Sequence, residues 1–142
     1  MKYFLTLAIL LMAVSASARG GRATGSTLVS DKIVAASTNV TPKYVSISAN
    51  TSGDNTILAA VTGKKIRILS LVIVSAGTVN IRLESGAGGT ALTGVMPLVV
   101  NNSLVWPLNQ YGYTETAAAT LLNLELSAGV AVTGCLTYIE VD

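Results

Sequence analysis

The chain has 142 residues, enough for one domain and an N-terminal appendage. Hydrophobic residues make up 51% and charged residues 11%, a balance opposite to that of a disordered chain. A net charge of +2 is too small an excess for a nucleic-acid binder, and the absence of histidine removes the commonest general base and metal ligand.

Residues 1–18 read as a secretory signal. Lys2 supplies the positive start, residues 3–14 the apolar core, and Ala16-Ser17-Ala18 the small-residue cleavage pattern. Cleavage is expected after Ala18, with export following. The alternative is a retained hydrophobic helix used for packing or membrane contact. A span of roughly twenty apolar residues is needed to cross a bilayer, and this run is shorter. No cysteine follows it, which excludes a lipoprotein anchor.

Residues 19–43 read as a flexible Gly-rich arm and linker. Arg19 and Arg22 fit a solvated tether better than a contact to an acidic surface. Residues 28–41 carry a weak strand pattern that ends at Pro42. A β-sandwich domain is expected over residues 44–142.

Within that domain strands and turns alternate at short spacing. Strands are expected at 44–48 and 57–61, with a turn at 51–56, and a long strand at 65–75. In the long strand Ile66, Ile68, Val72 and Val74 share one face, broken by Ser70. Arg67, Leu69, Leu71 and Ile73 share the other, so part of the second face needs a cover. Ala76-Gly77 suggests a tight hairpin into 78–84, where Val79, Ile81 and Leu83 alternate with outward Asn80, Arg82 and Glu84. Residues 96–100 and 103–108 read as a second hairpin around Asn101-Asn102. Residues 114–120 could form a helical turn. Strands at 121–127, 130–133 and 135–141 close the chain. About eight strands in roughly 100 residues define an all-β antiparallel sandwich, of jelly-roll or Greek-key type.

Candidate chemistry is sparse. Without histidine, hydrolysis would need paired carboxylates, and the acidic residues show no such spacing except Glu140 and Asp142 at the C-terminus. Glu84 and Glu125 read as solubility charges. Residues 52–56 lack the acidic density of a calcium loop and read as a turn held by Asp54. Neither a metal nor a cofactor is expected. Lys64, Lys65 and Arg67 form the densest basic patch, read as strand-end charge that discourages aggregation rather than as a contact to nucleic acid or an acidic partner. Cys135, the lone cysteine, reads as a buried structural thiol. Asn39, Asn50 and Asn101 begin N-x-[ST] triplets, relevant only to a eukaryotic secretory route.

The aromatic residues Trp106, Tyr111 and Tyr113 lie in V-W-P-L-N-Q-Y-G-Y. They either bind a sugar or a partner's pocket, or plug one end of the sandwich, with Trp106 leaning to the core.

From Thr51 onward the chain resembles small β-sandwich domains of tailed-bacteriophage virion structural proteins. The resemblance rests on T-S-G-D-N-T-I-L-A-A-V-T-G-K-K-I-R-I-L-S-L, on S-G-A-G-G-T-A-L-T-G-V-M-P-L, and on N-Q-Y-G-Y-T-E-T-A-A-A-T-L-L-N-L-E-L-S-A-G-V-A-V-T-G. It covers about two thirds of the chain and implies a jelly-roll-like virion component: a capsid decoration protein, or a part of a tail or fibre. The signal-like start departs from that pattern, because capsid parts assemble in the cytoplasm. The resemblance carries no catalytic residues.

The expected function is therefore that of a non-enzymatic virion structural protein acting by assembly. Its partners would be other virion subunits or itself, in a homo-oligomer. Leu69, Leu71 and Ile73, with Trp106, Tyr111 and Tyr113, are the candidate interface. The alternative is a secreted β-sandwich binding module for carbohydrate.

Overall fold

The computed structural model describes residues 33–35 and 38–142. Ala18, Arg19, Arg22 and the hydrophobic segment read as a signal or helix lie outside the described residues.

The described elements are all strands: β1 (Ile33–Ala35), β2 (Thr38–Val40), β3 (Lys43–Ala49), β4 (Gly53–Leu58), β5 (Lys65–Ser75), β6 (Val79–Ser85), β7 (Thr90–Ala91), β8 (Met96–Leu98), β9 (Ser103–Trp106), β10 (Thr114–Glu115), β11 (Leu122–Leu126) and β12 (Val132–Val141). No helix occurs among the described residues, so the helical turn expected at 114–120 is instead β10 and a loop. β1 and β2 form a hairpin of their own, inside the stretch expected to be arm and linker.

Two antiparallel sheets build the domain. The first runs β3–β12–β5, with β9 and β10 following one another along the far edge of β5. The second runs β4–β11–β6, with β7 and β8 both on β6. Pairing is nested: the chain's last strand meets β3, and β11 meets β4.

Both expected hairpins are absent. β5 and β6, joined through Ala76-Gly77, belong to different sheets, and so do β8 and β9. A short turn can lead either to the adjacent strand, about 4.8 Å away, or over the edge to the facing sheet, about 10 Å away. Turn residues alone do not distinguish the two.

One apolar core lies between the sheets. Ile47, Ile66, Ile68, Leu71, Ile73, Leu136 and Tyr138 enter it from the first sheet, and Ile81, Leu83, Leu122, Leu124 and Leu126 from the second. Most are below 2% exposed, each contributing roughly 1.5–3 kcal/mol by burial.

The long strand β5 reaches this core through a change of phase. Thr137 of β12 faces Ser70, yet the next residue, Tyr138, faces Ile68, leaving Leu69 without a partner. This β-bulge puts two successive residues, Leu69 and Ser70, on the outer side. The inward set is thus Ile66 and Ile68 before the bulge, and Leu71 and Ile73 after it. The face division expected from strict alternation is corrected: Leu71 and Ile73 are core residues, while Val72 and Val74 point outward.

Candidate functional site: the outer face of the first sheet

β3, β12, β5 and β9 expose a row of small and apolar side chains. Ser46 faces Cys135, Cys135 faces Val72, and Val72 faces Val105, one from each strand. Val72 is 38% and Val105 56% exposed, and Val74, one row on, is 41% exposed. Cys135 lies exposed among them, which corrects the reading of a buried thiol. Its neighbours Gly134 and Leu136 face inward, so alternation turns it to solvent.

Further along the same face the apolar surface is already covered. Leu69 and Ile139 are fully buried and pack against Val40 and Val141. Val40 belongs to β2, so the segment that leads into the sandwich closes this part of the sheet. The candidate interface residues Leu69, Leu71 and Ile73 therefore present no free surface. The exposed apolar side chains of this face are instead Val72, Val74 and Val105, with Tyr44 of β3 further along it. The only sequence signal for them was the second apolar face of β5; the bulge that assigns them to it has no local mark.

The basic residues are paired. Arg67 donates from Nε (2.9 Å) and Nη2 (2.7 Å) to Glu115 Oε2, and Lys65 Nζ donates to Glu115 Oε1 at 3.2 Å. The Arg67 hydrogen bond, helped by Lys65, holds the Glu115 carboxyl below its usual range against the opposing effect of burial. Lys64 pairs with Asp142, and Lys43 with Glu140 at 2.6 Å, a bond that raises the Lys43 pKa. Lys64, Lys65 and Arg67 thus each have an acidic partner.

The aromatic residues separate. Trp106 packs on the core and stacks on Tyr113 at a ring-centroid distance of 4.9 Å. The Tyr113 hydroxyl donates to the Pro107 carbonyl oxygen at 2.9 Å, while Tyr111 stands 75% exposed. Gly112, between the two tyrosines, has φ +83° and lies where a Cβ would come within 2.5 Å of Arg67 Cγ. This close approach sets the tyrosines beside the Arg67–Glu115 pair, around a shallow groove of about 300 Å³.

The second sheet's outer face holds a polar cluster that strand alternation does not reveal. Glu84, expected to be a solvated charge, is fully buried beside Arg82 and Asn123. Asp54 reaches across to the Gly88 N–H (2.9 Å) and the Asn123 amide rather than closing its own turn. The local turn bonds come from Asn55, which binds the backbone of Thr51 and Gly53. No group of three or more His, Cys, Asp or Glu side chains able to hold a metal occurs among the described residues. No helix among them is long and apolar enough to cross a membrane.

The class this geometry defines is an all-β, two-sheet antiparallel domain with one sheet face partly closed by its own N-terminal hairpin and partly open. No protein-family model matches the chain, and no characterised protein matches it in sequence. Among solved structures it is similar to a chain of the Bacillus endospore appendages, a novel family of disulfide-linked pili, at 15% identity. That similarity covers 71% of this chain and 85% of that one, with a TM-score of 0.42. It is also similar to a chain of the cyanophage Pam1 capsid asymmetric unit, at 19% identity, covering 71% and 84%, with a TM-score of 0.32. Neither value reaches the level at which a common fold follows.

Proposed function

We propose that the protein is a non-enzymatic structural subunit that assembles with copies of itself or other virion subunits through the outer face of the first sheet. The observation that carries this reading is the exposed Val72–Val74–Val105 patch, continuous with a sheet face that the β1–β2 hairpin side has already closed at Leu69 and Ile139. Burying such a patch repeatedly on a lattice adds a modest gain per subunit many times over. The nested strand order, β3–β12–β5–β9/β10 and β4–β11–β6–β7/β8, supports the jelly-roll reading. The placement in a phage virion, as decoration, tail or fibre, rests on the sequence resemblance from Thr51 onward, and export rests on the signal-like residues 1–18. Sedimentation velocity on the full chain tests the reading: an associating species that dissociates on Val72→Lys with an unchanged circular-dichroism spectrum supports it. A strict monomer at all concentrations, alone and with virion particles, sinks it.

A second reading has its own observation. Tyr111 and Tyr113 stand beside paired Arg67 and Glu115 around an open groove, an arrangement of aromatic faces and charged hydrogen-bonding groups that suits a sugar. Glycan binding that is lost on Tyr111→Ala, in a protein that stays monomeric, would favour this module over the assembly role.

A further inference from the structure

We propose that the free edge of β3 pairs with β3 of a second copy of this chain, antiparallel about a two-fold axis at Ser46. The first sheet then runs on from one subunit into the next. The contact is made by backbone hydrogen bonds at the sheet edge, and it goes beyond the Val72–Val74–Val105 patch, which lies on the face.

The first observation is that β3 lacks the devices that protect the other edges. A sheet edge presents unpaired N–H and C=O groups, and shortness, charge, proline or a bulge normally blunts it. β7 and β8 edge the second sheet and β9 and β10 the first; these strands are only two to four residues long, and β8 contains Pro97. β4 carries the exposed Asp54, and its register against β11 is broken between Leu122 and Asn123. β3 has seven residues, pairs with β12 without a register shift, and holds no proline or left-handed residue. Its one charge, Lys43, sits at the start of the strand and is bonded to Glu140 at 2.6 Å. Among the described residues no strand lies along its other edge. Val40 of β2 packs instead on Leu69 and Ile139, past the end of the β3–β12 ladder.

The second observation names the occupant: K-Y-V-S-I-S-A fits its own reversed copy. Pairing must keep inward residues opposite inward ones, because a shift of one residue would set one subunit's core face against the other's outer face. Ser46 opposite Ser46 obeys that rule and uses all seven residues, with Lys43 opposite Ala49, Tyr44 opposite Ser48 and Val45 opposite Ile47. Shifts of two residues keep the faces but shorten the ladder. In the full register Val45 and Ile47, which pack toward the core, meet each other across the axis. Tyr44, 77% exposed, gains a neighbour on the outer face. The two Lys43 side chains start at opposite ends of the ladder, about 20 Å apart and beyond the screening length of about 8 Å. A two-fold contact of this kind closes at a dimer, and only a second contact, such as the outer face, extends it into a lattice.

The test combines sedimentation velocity with oxidative cross-linking of the full chain. Ser46 is exposed on the outer face, so Ser46→Lys keeps the fold, as an unchanged circular-dichroism spectrum verifies, and sets two ammonium groups against each other at the axis. Loss of the dimer in Ser46→Lys, with a dimer persisting in Val72→Lys, supports the proposal. In a Cys135→Ser background, Ser46→Cys should give a covalent dimer, because directly opposite strand residues have Cα atoms about 4.5–5.5 Å apart, within disulfide reach. Ser48→Cys in the same background should not, because the pairing holds the two copies of that residue about 14 Å apart. A dimer that survives Ser46→Lys, or equal cross-linking at the two positions, overturns the proposal. Association abolished by Val72→Lys alone overturns it too while leaving the outer-face contact standing, and a monomeric parent overturns both.

Discussion

The Ser70 hydroxyl donates to Thr137 Oγ1 across 2.8 Å, at the last aligned pair before the register of β5 against β12 slips by one residue. This bond pins the bulge on the outer side of the sheet. Everything C-terminal to it on β5 changes phase, which sends Leu71 into the core and Val72 to the surface.

Adjacent residues should then respond oppositely to truncation. Leu71→Ala leaves a cavity in a fully buried position and is expected to cost about 2–5 kcal/mol. Val72→Ala should stay within about 0.5 kcal/mol. Urea unfolding midpoints measure both, and the reverse order would mean that the register of β5 is one residue off.

Acid should weaken the domain through Glu115. Its folded-state pKa lies below the unfolded value because Arg67 and Lys65 bond the carboxylate. The stabilisation is therefore complete above the usual carboxylate range and is lost as pH falls through the lowered folded value. In that window the unfolded chain binds the additional proton. Glu115→Gln should flatten this part of a stability profile followed by denaturant titration from about pH 6 to about pH 2. An unchanged slope would remove Glu115 from the acid response.

Gly134 should not tolerate a side chain. A Cβ there would lie 1.9 Å from the Val72 carbonyl oxygen, and backbone on a central strand has nowhere to move. Gly134→Ala is expected to lose more than about 2 kcal/mol or to fail to fold. At Gly94 a Cβ meets nothing within 4 Å, so Gly94→Ala serves as the near-neutral control. Thermal melts of the two variants side by side decide the point.

Cys135 reports on the proposed interface. Exposed beside Val72, it should react with a maleimide in the folded, dilute protein without denaturant. In the assembled form the same thiol should be protected, read as slowed labelling by mass spectrometry. Equal labelling rates in monomer and assembly would place the contact on another face.

The amino-acid sequence by itself determined the all-β class and the positions of β3, β5, β6 and β11. Those follow from alternation and from turn residues, which act over a few neighbours. It also marked β5 as apolar on both sides, and Trp106 as inclined to the core. The strand expected at 57–61, by contrast, is β4, Gly53–Leu58, across most of the expected turn, and those expected at 130–133 and 135–141 are the single strand β12. The sheet to which each strand belongs was decided by the tertiary structure, because a short turn permits either the adjacent strand or the facing layer. The bulge at Leu69 was decided there too. It depends on β12, some seventy residues away, and a shift of one residue exchanges the two faces of a strand. Glu84 and Asn123 read as outward and are buried for the same reason: strand alternation says which side a residue points to, and only the packed chain says what lies over it.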